Sequence, residues 1–420
     1  MRISEMHRQV RRALRWLGAG TVILGAGFGL GGCSGLLDVE LPGQIPAEQI
    51  NAPSLAPVLV RGVIGDLECA YSNYFAGASV HSDEWETSNS NVPLANWGER
   101  TIGADEDNYV VGSCADGGFG MHSVLHTARY QSEDVFRRLD AWTDQEVSGR
   151  TSFKATVRAY GGFAYIFLGE TFCEVAIDKG PAQPPATALA LAEQRFTEAI
   201  TLAQQTGNTD ILNLARVGLA RASLGLKKYA QAAQAAGLVP VGYEKNADRG
   251  TESPRRWNDL YRNVHELGAY TAANAYRTLG DPRVVVVDAG RGAFVPTIRL
   301  WITTKFRSLN DPIRLASYRE AQLILAESLA EQGQVEPAMN IINGRRIGLG
   351  LAPLAANDKD QAIGHIIEER RKELAYEGGH RLYDLLRKNI AWKVGANPFT
   401  GRPYGVTKCW PFPTKERSGA

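Results

Sequence analysis

The chain has 420 residues, 44% of them apolar and 22% charged, which allows a sizeable buried core and argues against wholesale disorder. The length fits two or three domains, or one large helical array. The formal net charge is +1, and beyond residue 32 there are 41 basic against 44 acidic residues, so a basic nucleic-acid surface is not indicated and no nucleic-acid partner is expected.

In chain order, Arg2, Arg8, Arg11, Arg12 and Arg15 come first, followed by an uncharged apolar run from Leu17 to Leu30. That run is too short to span a membrane, which takes about 20 residues. A basic flank and a short apolar core read as a secretion signal. The run closes with Leu30, Gly31, Gly32 and Cys33, which resembles a bacterial lipobox, where small residues precede a lipidated thiol. Residues 1–32 are then a signal peptide, and Cys33 is the lipidation site that holds the protein on a membrane through acyl chains. Residues 33–54, with their Pro-punctuated start "SGLLDVELPGQIP", read as a tether. Four more cysteines follow, Cys69, Cys114, Cys173 and Cys409, with no CxxC and no zinc-ligand spacing. Outside the cytoplasm an even count favours disulfides, and three pairings are open.

Residues 55–142 hold apolar stretches at Leu55–Tyr74 and Met121–Leu139 around a Gly-, Ser- and Asn-rich middle. Helical period dominates from Ser148, with Ala155, Ala159, Phe163, Ile166 and Phe167 on one face and Gly169 as the expected stop. Residues 188–236 read as two pairs of short helices. Their small residues recur between Ala215 and Ala230, which resembles tetratricopeptide units that stack closely. The β-branched runs in "GDPRVVVVD" and "AFVPTIRLWITTKF" predict one or two strands. A helical pair is expected to resume at Ile313 and to turn at Gly333. His122 and His126 stand at i,i+4 without the Glu that an H-E-x-x-H metal site requires, so they are read as packing residues and no metal or other cofactor is expected. The acidic loop Ala104–Asn108 has ligand types suited to Ca²⁺, but such loops more often bind only water.

The densest charge lies in "HIIEERRKELAYEGGHRLYDLLRK", His365 to Lys388, where eleven residues are Asp, Glu, Lys or Arg. On a helical wheel Ile363, Ile367 and Leu374 share one side, and Ile366, Arg370, Glu373 and Glu377 form the adjoining row. Arg370 between two carboxylates would hold both ionised, which makes Arg370, Glu373 and Glu377 a structural network rather than a catalytic pair. Gly378-Gly379 is expected to end this helix, and a second helix starts near His380.

This stretch resembles the C-terminal signature of the SusD/RagB family of outer-membrane nutrient-binding lipoproteins. "PIRLASYREAQLILAESLAEQG", "INGRRIGLGLAPL" and "WPFPTKE" resemble further family segments, and "CSGLLDVELPGQI" resembles the usual start after the lipidated cysteine. The resemblance implies a mostly α fold, a tetratricopeptide-like helical-pair scaffold with an irregular, loop-rich ligand-binding face and a few short strands. Residues 55–420 would form a single domain, with the scaffold at 148–236 and 313–388 and the ligand face mainly at 70–120 and 240–310. It further implies a cell-surface, lipid-anchored protein that is not an enzyme and captures glycans or other nutrients for a SusC-like TonB-dependent transporter. A secreted glycan hydrolase and a helical protein-binding scaffold are the alternatives. Sugars call for exposed aromatic faces beside amides and carboxylates, so Trp97, Trp85, Tyr71 and Trp257 are the candidate ligand contacts.

Overall fold

The computed structural model describes residues 50–106, 109 and 120–417. The signal peptide, Cys33, nearly all of the tether and Cys114 lie outside the described residues. Eleven helices of eight residues or more follow one another among the described residues: α1 Ala56–His81, α2 Val92–Glu99, α3 His122–Ala141, α4 Arg150–Thr171, α5 Ala186–Thr206, α6 Thr209–Gly225, α7 Tyr229–Gly237, α8 Tyr318–Glu331, α9 Val335–Gly348, α10 Lys359–Glu373 and α11 His380–Arg387.

Local chemistry sets their ends. Asn208, Ser317 and Asp358 cap α6, α8 and α10 by accepting the N–H of Ile211, Glu320 and Gln361. Gly207, at φ +67°, stops α5. From α3 to α7 each helix packs on the next, α7 packs on α8, and α8 on both α9 and α10. Close stacking depends on small residues. The Phe196 ring of α5 lies so near Gly162 of α4 and Gly218 of α6 that a Cβ there would sit 2.7 Å and 2.2 Å from it. This is the tetratricopeptide-like stacking expected from the small-residue pattern. Residues 188–236 nevertheless supply three helices, α7 and most of α5 and all of α6, rather than two short pairs.

Between α7 and α8 the chain leaves the helical stack. Among the described residues six short strands, β1 from the stretch between α1 and α2 and five from this excursion, make three antiparallel pairs: β1 Trp85–Thr87 with β3 Tyr270–Ala272, β2 Glu244–Ala247 with β6 Ile313–Ser317, and β4 Val286–Gly292 with β5 Arg299–Thr303. The expected strands are β4 and β5. The helix expected at Ile313 begins five residues later, because Ile313–Ser317 pairs with β2 and Ser317 becomes the cap of α8. The helix expected to stop at Gly169 continues to Thr171, since Gly169 sits under Leu189 inside the α4–α5 contact. Cys173, just past α4, is bonded to Cys409 in the tail, with Cα atoms 5.1 Å apart. Cys69 is disulfide-bonded as well.

Candidate ligand-binding site

Three of the four aromatic candidates turn inward. Tyr71 of α1 stacks on Phe167, ring centroids 5.0 Å apart, and its hydroxyl donates to the Arg314 carbonyl. The Trp85 indole N–H donates to Ser79 Oγ at 2.8 Å, and the ring leans on Tyr376 at 4.6 Å. Trp97 of α2 meets Trp410 edge-on at 5.4 Å. All three are buried, which corrects the expectation of exposed platforms at these positions. The physical reason is that α1 is enclosed on every side from Leu67 to His81. Its polar residues are satisfied within the protein, as when Asn73 donates to the Gly120 carbonyl and Ser79 to Glu84.

Trp257 alone of the four keeps partial exposure. It opens a segment in which Asn258 caps one turn of α-helix, Asp259–Tyr261, followed by a π-helical turn, Arg262–Glu266. The Arg262 guanidinium lies 5.2 Å over the Trp257 ring, and Tyr261 stacks on His265 at 4.7 Å. The tip of the β4–β5 hairpin is tied to the end of this segment. Phe294 N–H donates to the Gly268 carbonyl at 2.8 Å, and Arg291 donates to the carbonyls of His265 and Glu266. The Phe294 ring is 44% exposed. Trp257 Nε1 and His265 Nε2 are buried polar atoms without a hydrogen-bond partner. Burial, and then Arg291, push the His265 imidazole down to about 4, so it is neutral at physiological pH. Partly exposed rings beside guanidinium groups form a surface suited to sugar C–H faces and hydroxyls. Tyr261 and His265 were not among the sequence candidates, although with Trp257 they stand at i, i+4 and i+8.

The charged signature is structural in geometry, but its pairing differs from the expected one. Arg370 does not bridge Glu373 and Glu377. Its Nε donates to Asp384 at 3.0 Å and lies 3.9 Å from Glu327. Glu373 pairs with Arg345 at 2.9 Å and Arg283 at 3.4 Å, whereas Glu377 pairs with Lys305 and Arg314, both at 2.7 Å. Burial raises the Glu373 carboxyl, but Arg345 and Arg283 outweigh it and hold it below its ordinary range. The cause of the different pairing is that α10 ends at Glu373, four residues before the expected stop. Tyr376 then takes φ +60°, and its N–H donates to Glu84 at 2.5 Å, so Glu377 leaves the helical row. The two glycines allow the next approach. A Cβ on Gly378 would meet the Tyr71 hydroxyl at 2.4 Å, and one on Gly379 the Tyr74 hydroxyl at 2.4 Å, and both glycines have positive φ.

His122 and His126 lie ring to ring at 4.4 Å, and burial lowers them to about 4 and about 3. Part of the acidic loop, residues 107 and 108, lies outside the described residues. Among the described residues no cluster of three or more His, Cys, Asp and Glu could hold a metal ion.

Stacked helix pairs with a loop-rich excursion define a tetratricopeptide-like scaffold protein. Residues 304–407 match the sequence model of the SusD family. The fold is shared with a SusD-like carbohydrate binding protein from Bacteroides vulgatus, 19% identical over 80% of this chain and 83% of that one, with a TM-score of 0.61. It is shared also with a laminarin binding SusD-like protein, 18% identical over 87% and 97%, TM-score 0.63. A SusD homolog from Bacteroides thetaiotaomicron is 15% identical over 89% and 97%, TM-score 0.65. No curated protein matches the sequence. The C-terminal quarter of the chain thus carries the SusD family's sequence pattern, and the chain shares the fold of SusD-like proteins.

Proposed function

We propose that this protein captures glycans at the outer-membrane surface, held there by a lipid on Cys33, and passes them to a SusC-like TonB-dependent transporter. The observation that carries this reading is the family scaffold joined to a partly exposed aromatic segment, Trp257 to His265, beside Phe294. Relatives of the same fold include a laminarin binding protein and a carbohydrate binding protein, which supports glycans as the ligand class. The N-terminal 32 residues and the lipobox-like Leu30–Cys33 support the anchor. No helix among the described residues is long and apolar enough to cross a membrane, so attachment falls to the lipid in this reading. It is a binding role rather than a catalytic one. The carboxylates of the signature are engaged by arginine and lysine and are not posed as an acid and a base across a cleft.

The test has two parts. Purification of the lipidated protein from its own outer membrane should recover a large TonB-dependent barrel, and a partner-free lipoprotein would sink the delivery role. On a glycan array the protein should bind, and Trp257→Ala or Tyr261→Ala should weaken that binding by about tenfold, the loss of a contact worth roughly 1.4 kcal/mol. Unchanged binding in both variants would place the ligand elsewhere.

A further inference from the structure

A second opening lies in the helical stack, away from the aromatic segment. A cavity of about 390 Å³ is bounded by α8, α9 and α10, within the range of about 300–1,000 Å³ that small-molecule sites occupy. Arg319 and Gln322 reach it from α8, Asn340 and Arg345 from α9, and Glu369 and Glu373 from α10.

Its charge balance is one-sided. Glu369 is met by Arg283 at 2.7 Å, Arg346 at 2.6 Å and Lys372 at 3.5 Å. Glu373 is met by Arg345 and Arg283, and Arg283 also grips Asp281 at 2.8 Å. Of the residues that line the cavity three are cations, Arg283, Arg319 and Arg345, against two carboxylates, Glu369 and Glu373, and each carboxylate is already paired. Arg319 is exposed, lies 5.8 Å over the Tyr318 ring, and has no carboxylate within ion-pair distance among the described residues. Its guanidinium therefore keeps its donors for a ligand, next to an aromatic face and the two amides. The cavity also has room at its α9 wall. Gly344 and Gly348 line it, and a Cβ on either would meet nothing within 4 Å.

We propose that this cavity is a second ligand site, which takes a carboxylate-bearing sugar, a uronate, on Arg319, with Arg345, whose Nε and Nη2 already hold Glu373, adding positive charge beside it. A planar guanidinium matches a carboxylate in two-pronged geometry. Tyr318 offers a ring to the sugar's C–H face, and Gln322 and Asn340 offer amides to its hydroxyls. The inference rests on the glycan-capture reading and deepens it, because it selects acidic glycans over neutral ones for this site.

Calorimetric titration of the full soluble chain with trigalacturonate and with its neutral counterpart, galactotriose, tests it. Trigalacturonate should bind, and more weakly as salt rises. Arg319→Gln should reduce that affinity by roughly tenfold or more, since a hydrogen bond to a charged group is worth about 1.5–3 kcal/mol. Gly344→Trp should abolish it by filling the cavity, while thermal unfolding shows the fold retained. Arg137→Gln, which removes an exposed cation of α3 outside both sites, should leave it unchanged. Equal binding of the two trisaccharides, no binding of trigalacturonate, or binding indifferent to both cavity variants each overturns the proposal. Array binding that is lost in Trp257→Ala would leave glycan capture standing in any of those cases. Absence of binding to every glycan on the array would instead overturn the capture reading itself.

Discussion

Two kinds of glycine behave oppositely in this protein. Gly379 holds φ +79°, with the Tyr74 hydroxyl where a Cβ would go, so Gly379→Ala must shift either the turn or α1. A loss of about 1–3 kcal/mol is expected in urea denaturation. Gly344 lies inside α9 with open space around it, and Gly344→Ala should gain about 0.5–1 kcal/mol, because alanine is the better helix former. A gain or no change for Gly379→Ala would mean that the close approach of the turn to α1 is wrong. Glu84 is a different kind of buried residue. Burial raises its carboxyl from 4.5 to about 7, against the stabilising hydrogen bonds from Ser79 and the Tyr376 N–H. The folded protein thus holds a proton that the unfolded chain releases at lower pH. The stability this contributes is full below about pH 4.5 and is lost as pH rises to about 7. Glu84→Gln should flatten the decline across that window, measured as unfolding free energy against pH. A decline of the same steepness in the variant would mean that other groups cause it.

Among the elements, α8, α10 and α11 are joined by charges largely withdrawn from water. Glu327 of α8 is fully buried, paired with Arg387 and Lys388 and near Arg370. Burial raises its carboxyl, but these cations, Arg387 foremost, hold it well below its ordinary range. Arg387→Ala would remove its two-pronged partner, and a cost of about 3–5 kcal/mol is expected. Replacing Arg387 and Glu327 together by Met and Leu should cost less than the single change, which a double-mutant cycle would read directly. The expectation that the charges of "EERRKEL" form a structural network rests on the apolar row they adjoin. It could not supply the partners. Arg283, Arg345, Lys305 and Arg314 come from other segments, and only tertiary packing brings them to Glu373 and Glu377. The early end of α10 likewise follows from the Tyr376 N–H bonding to Glu84, nearly three hundred residues away in sequence.

At the scale of the whole molecule, the helical stack was legible from period and small residues because those signals are local. The excursion from α7 to α8 was legible only at β4 and β5, where β-branched residues run together. Strands β2 and β6 are short and pair across some seventy residues, so no local pattern marks them. The ligand face was the least legible part. Aromatics among polar residues suggested exposure for Tyr71, Trp85 and Trp97, yet those polar neighbours serve as internal hydrogen-bond partners around the enclosed part of α1, Leu67 to His81. Trp257 is the sequence candidate that keeps partial exposure, and its four-residue spacing to Tyr261 and His265 is a signal that extends the candidate set.

The bond between Cys173 and Cys409 has a consequence beyond the tail it holds. It closes the chain from residue 173 to 409 into a covalent loop, with sequence separation 236. That loop contains the aromatic segment, the hairpin and the α8–α10 cavity. A single peptide-bond cut by a protease anywhere within it therefore releases nothing. The two products would run as one species on a denaturing gel and come apart only after a thiol is added, so a protein with this architecture can be nicked in its exposed loops and still stay whole.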